Sequence, residues 1–160
     1  MARAGFQVVA VGRDRNRGAA LLDWIGGLVP QADCALMTAD LSSLAATRAL
    51  GNEIAARYPK IRVLIKNAGC FDAKRVTTAE GHDRVLATNL LAPFLLTKAL
   101  LPSLASGSPS RIVNVGSSTS DTASIDPEHL ELGSRWTMVR AYGQSKLALL
   151  MMTLALADRL

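Results

Sequence analysis

Cysteine is scarce: the 160-residue chain contains only Cys34 and Cys70. Neither has a second Cys or a His at metal-ligand spacing, which argues against a zinc site and a disulfide framework and fits a reducing, cytoplasmic setting. Long unbroken hydrophobic runs are also missing. The most apolar stretch, Leu90 to Leu104, is interrupted by Pro93, Lys98 and Pro102, so it reads as a buried helix and not as a transmembrane segment. No N-terminal stretch has the charged start, apolar middle and small-residue cleavage site of a secretory signal. Gly and Pro do not cluster and nothing repeats at a fixed period, which removes disordered, collagen-like and solenoid readings. A block of one charge is absent as well. The net charge of +5 comes from Arg residues scattered along the chain, which argues against nucleic-acid binding and suits a ligand that carries several phosphates.

What is present points to one globular domain, residues 1–160, because a chain of this length with 49% hydrophobic residues can bury a sizeable core. Apolar runs of strand length alternate with longer amphipathic runs, the signature of a parallel sheet covered by helices. Strands are expected at Phe6 to Val11, Cys34 to Met37, Arg62 to Ile65 and Arg111 to Val115. Helices are expected from Arg15 to Leu28, ended by Gly26, Gly27 and Pro30, and from Leu44 to Tyr58, capped by Ser42 or Ser43. A long helical region is expected from about Thr78 to Leu104, a loop from Thr119 to Trp136, and a last helix from Arg140 to Leu160. Ala2 to Gly5 look like the end of a preceding helix, and the chain stops in or just after a helix. The fold class expected is thus an incomplete α/β domain, a doubly wound parallel sheet with helices on both faces, with its first βα unit and C-terminal strands expected to be missing and a sheet edge exposed.

In open parallel sheets ligands gather outside the carboxyl ends of the strands. That rule selects Gly12 and Arg13, Asp40, Asn67 to Gly69, and Ser117. Tyr142 and Lys146, four residues apart, share one helical face. A tyrosine acts as a proton donor near neutral pH only if its phenolate is stabilised, and an ammonium one turn away does that. The plainer alternative is an aromatic near a helix start beside a solvated charge.

Taken in order, these elements resemble the short-chain dehydrogenase/reductase family over essentially the whole chain. Lys66-Asn67-Ala68-Gly69 is similar to the family's Asn-Asn-Ala-Gly element, Asn89 in Ala87-Thr88-Asn89-Leu90 to its helical Asn, Ser117 in Ile112-Val113-Asn114-Val115-Gly116-Ser117-Ser118 to its strand-end Ser, and Tyr142-Gly143-Gln144-Ser145-Lys146 to its Tyr-x-x-x-Lys motif. The segment before Tyr142 and the Thr78 to His82 stretch look like the retinol-dehydrogenase-like branch. The resemblance implies a Rossmann-like, NAD(P)-binding oxidoreductase interconverting an alcohol and its carbonyl. Tyr142 would exchange the proton, Lys146 hold the nicotinamide ribose and lower the Tyr142 pKa, Ser117 polarise the carbonyl, with Ser118 as the alternative, and Asn89 position a water linked to Lys146.

On the cofactor side the resemblance implies contacts from Arg13, Asp40, Leu41, Asn67, Ala68, Gly69, Tyr142 and Lys146. NADP is expected over NAD, because Gly12 stands where an NAD-preferring enzyme offers a carboxylate and the Arg13 guanidinium can grip a 2′-phosphate. Asp14 complicates this: it could pair with Arg13 or itself be the ribose carboxylate. Asp40 is read either as an adenine contact or as a helix cap. The family's glycine-rich pyrophosphate loop is absent, and Lys66 replaces its first Asn. A lipophilic small-molecule substrate and a homo-oligomer are expected. The competing reading is a truncated, non-catalytic module acting through protein contacts. His82 and His129 read as surface groups, Cys70 as a small buried filler, and Trp136 and Met138 either as pocket lining or as core.

Overall fold

Four helices, those beginning at Arg15, Leu44, Arg84 and Met138, start where a short polar side chain accepts from the unpaired N–H groups of the first turn. A computed structural model describes all residues 1–160, and its contacts group them into two compact units, Met1–Asp40 and Leu41–Leu160.

In the first unit, a turn at Ala2–Ala4 closes on Gly5, whose φ of 76° is the left-handed stop that glycine adopts without strain. Strand β1 (Val8–Gly12) runs parallel to β2 (Cys34–Thr38), paired from Val8 with Cys34 to Gly12 with Thr38. Helix α1 (Arg15–Leu28) packs back on both strands. Asp14 caps it by accepting from the Asn16 and Arg17 backbone N–H. Gly26 and Gly27, expected to end this helix, lie inside it, and Val29 caps it through a bond to Ile25. Two flexible residues late in a helix weaken it without stopping it while the i→i−4 bonds persist.

In the second unit, α2 (Leu44–Arg57) begins at Ser43, whose hydroxyl accepts from the Ala46 N–H. The cap is therefore Ser43 and not Asp40 or Ser42. Strand β3 (Val63–Lys66) pairs in parallel with β4 (Arg111–Asn114), Lys66 opposite Asn114. Helical structure does not begin at Thr78 as expected. Thr77 bridges to Asp83, and α3 starts at Arg84 (Arg84–Leu86), because the Asp83 carboxylate takes the Val85 and Leu86 N–H groups. A π-helical stretch, Ala87–Leu91, then leads into α4 (Ala92–Ser106). Its cause is legible in Pro93, which has no N–H to offer the Asn89 carbonyl four residues earlier, so the chain slips locally to i→i+5 bonding.

The core of this unit lies between α2 and α4: Leu50 and Ile54 face Leu96, Leu100 and Leu104, all buried. Gly51 permits the close approach, since a Cβ there would sit 2.8 Å from that of Ala99. The run Arg84–Ser106 is long and apolar enough by length and composition to cross a membrane, but half of its apolar window is buried inside the protein. The expected loop between β4 and the last helix contains three short turns, at Ser118–Ser120, Pro127–His129 and Gly133–Arg135. Helix α5 (Met138–Ala157) begins two residues before the expected Arg140 because Thr137 caps it.

Lys66 bonds to α4 and its register partner Asn114 bonds to Thr153 of α5, so both helices cover one face of the β3–β4 pair. On the other face Ile65 and Val113 are exposed. Parallel strands that cross over through helices make this a Rossmann-like α/β fold.

Candidate active site

The carboxyl ends of β3 and β4 lie side by side, joined by the Val115 N–H bond to the Lys66 carbonyl at 3.0 Å. From this shared edge leave the exposed Asn67, Ala68 and Gly69 on one side and Val115 to Ser117 on the other. Helix α5 brings Tyr142 and Lys146 to the same place. The buried Lys146 ammonium donates to the Val115 carbonyl at 2.8 Å and lies 5.8 Å from the Tyr142 ring centre. Burial holds its pKa below the usual lysine range. An ammonium has three donors, and Val115 takes one of them.

Asn89, 1% exposed, holds the opposite side together. Its Oδ1 accepts from the Cys70 N–H at 2.8 Å, and its Nδ2 donates to the Cys70 carbonyl and to Ser145 Oγ, both at 3.0 Å. Ser145 Oγ in turn donates to the Tyr142 carbonyl. One side chain on the π-helical stretch thus ties the Asn67–Cys70 loop to the helix that carries Tyr142. Both amide protons are used, so the water contact implied by resemblance would fall to the remaining Oδ1 lone pair. Gly69 lies between these groups, since a Cβ there would be 3.4 Å from Asn89 Oδ1 and 3.7 Å from Lys146 Nζ.

Ser117 caps the turn that follows β4. Its Oγ accepts from the Thr119 N–H and from Thr119 Oγ1 at 2.9 Å, which leaves its own O–H to donate. The turn packs against α5, where Gly143 leaves room: a Cβ there would meet Ala123 and the Thr119 carbonyl. Ser118, the alternative, is exposed.

In the first unit Arg13 and Asp40 follow the paired ends of β1 and β2, which are joined by the Ala39 N–H bond to the Gly12 carbonyl. Arg13 and Asp40 are exposed and Leu41 is half-buried. Asp14, the other carboxylate at this edge, is also exposed. Its Oδ1 is spent on the α1 cap, its nearest cation is Arg17 at 3.6 Å and not Arg13, and the cap bonds hold its pKa below the usual carboxylate range.

Several groups were not singled out from sequence. Phe71 meets the Tyr142 ring edge-on, centres 4.9 Å apart at 72°. Asp72 forms a two-pronged pair with Arg84, at 2.8 and 2.6 Å. Ser145 was hidden inside the Tyr-x-x-x-Lys motif as one of its variable positions. Trp136 proves to be an anchor: its Nε1 donates to buried Asp83, and its ring packs on Val85, Leu132 and Ala141. His82 and His129 have carboxylate partners, Glu131 at 3.0 Å and Asp126 at 3.2 Å, and no group of side chains is arranged to hold a metal. Cys70 is half-buried, with its thiol pushed up to about 11 chiefly by burial.

The family model for short chain dehydrogenases matches residues 1–160, and the chain belongs to that family. It is 36% identical over 160 residues to polyprenol dehydrogenase of Mus musculus, covering 98% of this chain and 48% of that protein. It is 32% identical to retinol dehydrogenase 12 of the same species, covering 100% of this chain and 51% of that one, which places it in the retinol-dehydrogenase-like branch. The chain therefore spans about half the length of the curated relatives it matches. Among solved structures, a short-chain dehydrogenase from Sphingobium yanoikuyae in complex with NADPH superposes with a TM-score of 0.75 at 28% identity, over 99% of this chain and 58% of that one.

Proposed function

We propose that this chain forms part of an NADP-dependent oxidoreductase that interconverts an alcohol and its carbonyl, residues 1–160 being one cofactor-binding domain. The observation that carries the reading is Lys146, a buried ammonium set beside the Tyr142 ring at the carboxyl edge of the sheet with donors to spare. The cofactor, when bound, supplies or takes up the hydride. The residues fit it: Lys146 has two N–H groups for a ribose diol, Asn67 to Gly69 offer exposed backbone beside it, and Arg13 offers a cation for a 2′-phosphate with no carboxylate on Gly12 to repel one. Asp40 would accept from the adenine amino group, and Leu41 would lie against the base.

Tyr142 delivers its phenolic proton to the substrate oxygen in reduction and recovers it in oxidation. Lys146 places a poorly solvated positive charge beside the ring that carries the reacting hydroxyl. Ser117, with both contacts to Thr119 made as acceptor, points its O–H to the same substrate oxygen and stabilises the charge that develops there. Asn89 acts as a positioning residue, holding the loop and α5 in register. The names of the polyprenol and retinol dehydrogenases favour an apolar alcohol as substrate. The exposed Phe94 of α4 and Leu150, Met151 and Leu154 of α5 favour a homo-oligomer.

The test is Tyr142→Phe in the full-length protein, which keeps the ring and removes the proton. NADPH-dependent carbonyl reduction should fall at least about 100-fold while NADPH still binds. Wild-type turnover in that variant would falsify the assignment. Arg13→Ala should weaken NADPH binding and leave NADH binding in place, and equal effects on both would remove the NADP preference.

A further inference from the structure

Phe71 is held more firmly than an exposed aromatic in a loop needs to be. The residue before it has both backbone groups bonded to the Asn89 amide, and the residue after it has its carboxylate paired two-pronged with Arg84. Both anchors stand on the single segment that runs from α3 into the π-helical stretch, five positions apart. A tripeptide clamped at each end on one rigid element leaves its middle side chain little freedom, and here that side chain leans edge-on against the Tyr142 ring. Yet Phe71 remains 54% exposed. A large apolar surface kept in water at a fixed position costs free energy unless something covers it in the working state. Tyr142 is covered on the core side by Val85, Leu132 and Ala141, so Phe71 forms the second aromatic wall of a corner whose other wall carries the reacting hydroxyl.

We infer that Phe71 is a specificity-determining residue, the aromatic wall against which the substituent of the carbonyl substrate lies, and that it selects flat, unsaturated substituents over saturated rings of equal carbon count. This rests on the oxidoreductase reading above. Two rings in contact at 72° present an aromatic face beside an aromatic edge, against which a planar π-system makes stacking or edge contact, while a puckered ring meets them through hydrogens only.

The experiment compares acetophenone with cyclohexyl methyl ketone, and benzaldehyde with cyclohexanecarbaldehyde, in the full-length wild type and in Phe71→Leu, Phe71→Tyr and Tyr142→Phe. The intrinsic reactivity difference within each pair is common to all proteins and cancels in the comparison. The expected result is an aryl-to-cyclohexyl ratio of kcat/KM that drops about three- to tenfold in Phe71→Leu, expressed mainly in KM, and returns in Phe71→Tyr. If both members of a pair slow equally, Phe71 only supports its neighbours and the inference is overturned, while a dead Tyr142→Phe leaves the oxidoreductase reading standing. Undiminished turnover in Tyr142→Phe, or none in the wild type with any of the four carbonyls, overturns that reading and the inference with it.

Discussion

Replacing Lys66 by Met should make the protein more stable at neutral pH and less stable above about pH 9. Lys66 is 7% exposed at the end of β3, and its ammonium meets only Thr97 Oγ1 and the Pro93 carbonyl. Neither carries charge, and burial lowers its pKa from 10.5 to about 8. In the unfolded chain the group recovers its ordinary value. Between pH 8 and 10.5 the unfolded state therefore holds a proton that the folded state has released, so this residue makes stability rise with pH across that window. At about 1.4 kcal/mol per pH unit, the cost of charged Lys66 below pH 8 is on the order of 3 kcal/mol. Lost hydrogen bonds offset part of this. Thr97 keeps its own bond to the Pro93 carbonyl at 2.7 Å, so no buried donor is orphaned when Lys66 goes. Lys66→Met, of similar length, is expected to gain about 1 to 2 kcal/mol at pH 7. Urea unfolding followed by circular dichroism at pH 7, 9 and 10.5 would show the gain vanishing near pH 9 and becoming a loss of about 1 to 2 kcal/mol at pH 10.5, because the wild type regains the cost of charged Lys66 across that range and all other titrating groups are shared. A Met variant no more stable than the wild type at pH 7, or a gain independent of pH, refutes the reasoning.

Two glycine substitutions should differ in severity. A Cβ on Gly107 would stand 2.2 Å from the Ile61 carbonyl oxygen, which is backbone and cannot rotate away, so Gly107→Ala should cost about 3 kcal/mol or more in urea unfolding. On Gly18 a Cβ would be 2.4 Å from the tip of the half-buried Leu36 side chain, which can turn, so Gly18→Ala should cost about 1 kcal/mol. The reverse order would contradict this packing. Cys70, with its thiol near 11, should resist iodoacetamide at neutral pH and react faster as pH rises toward that value; rapid alkylation at pH 7 would show the thiol to be less buried than described.

Much of the fold was legible because its signals are local. Helix α1 was placed to the residue, Ser43 was one of two caps named, and the four strands were located to within two residues, since caps and apolar runs act over a few positions. The largest miss was the start of the long helix. Thr78 to His82 looked helical, but the decisive group was the Asp83 carboxylate, and its commitment as a cap is reinforced by Trp136, 53 residues away. The π-helical stretch has a cause in the sequence, Pro93 four residues after Asn89, but a missing N–H does not by itself choose between a kink, a stop and a local slip to i→i+5 bonding.

For the site the division is similar. The residue types and spacing of Asn89, Ser117, Tyr142 and Lys146 are written in the sequence, since four-residue spacing puts Tyr142 and Lys146 on one helical face and strand ends mark Ser117. What those side chains do to one another is decided by tertiary structure. Only the fold makes Asn89 a clamp between Cys70 and Ser145, gives Asp14 to a helix cap, leaves Lys66 a buried charge, and sets Phe71 against Tyr142. These depend on residues far apart in the chain and on burial, and neither separation in space nor loss of solvent is encoded in the spacing of letters along a segment.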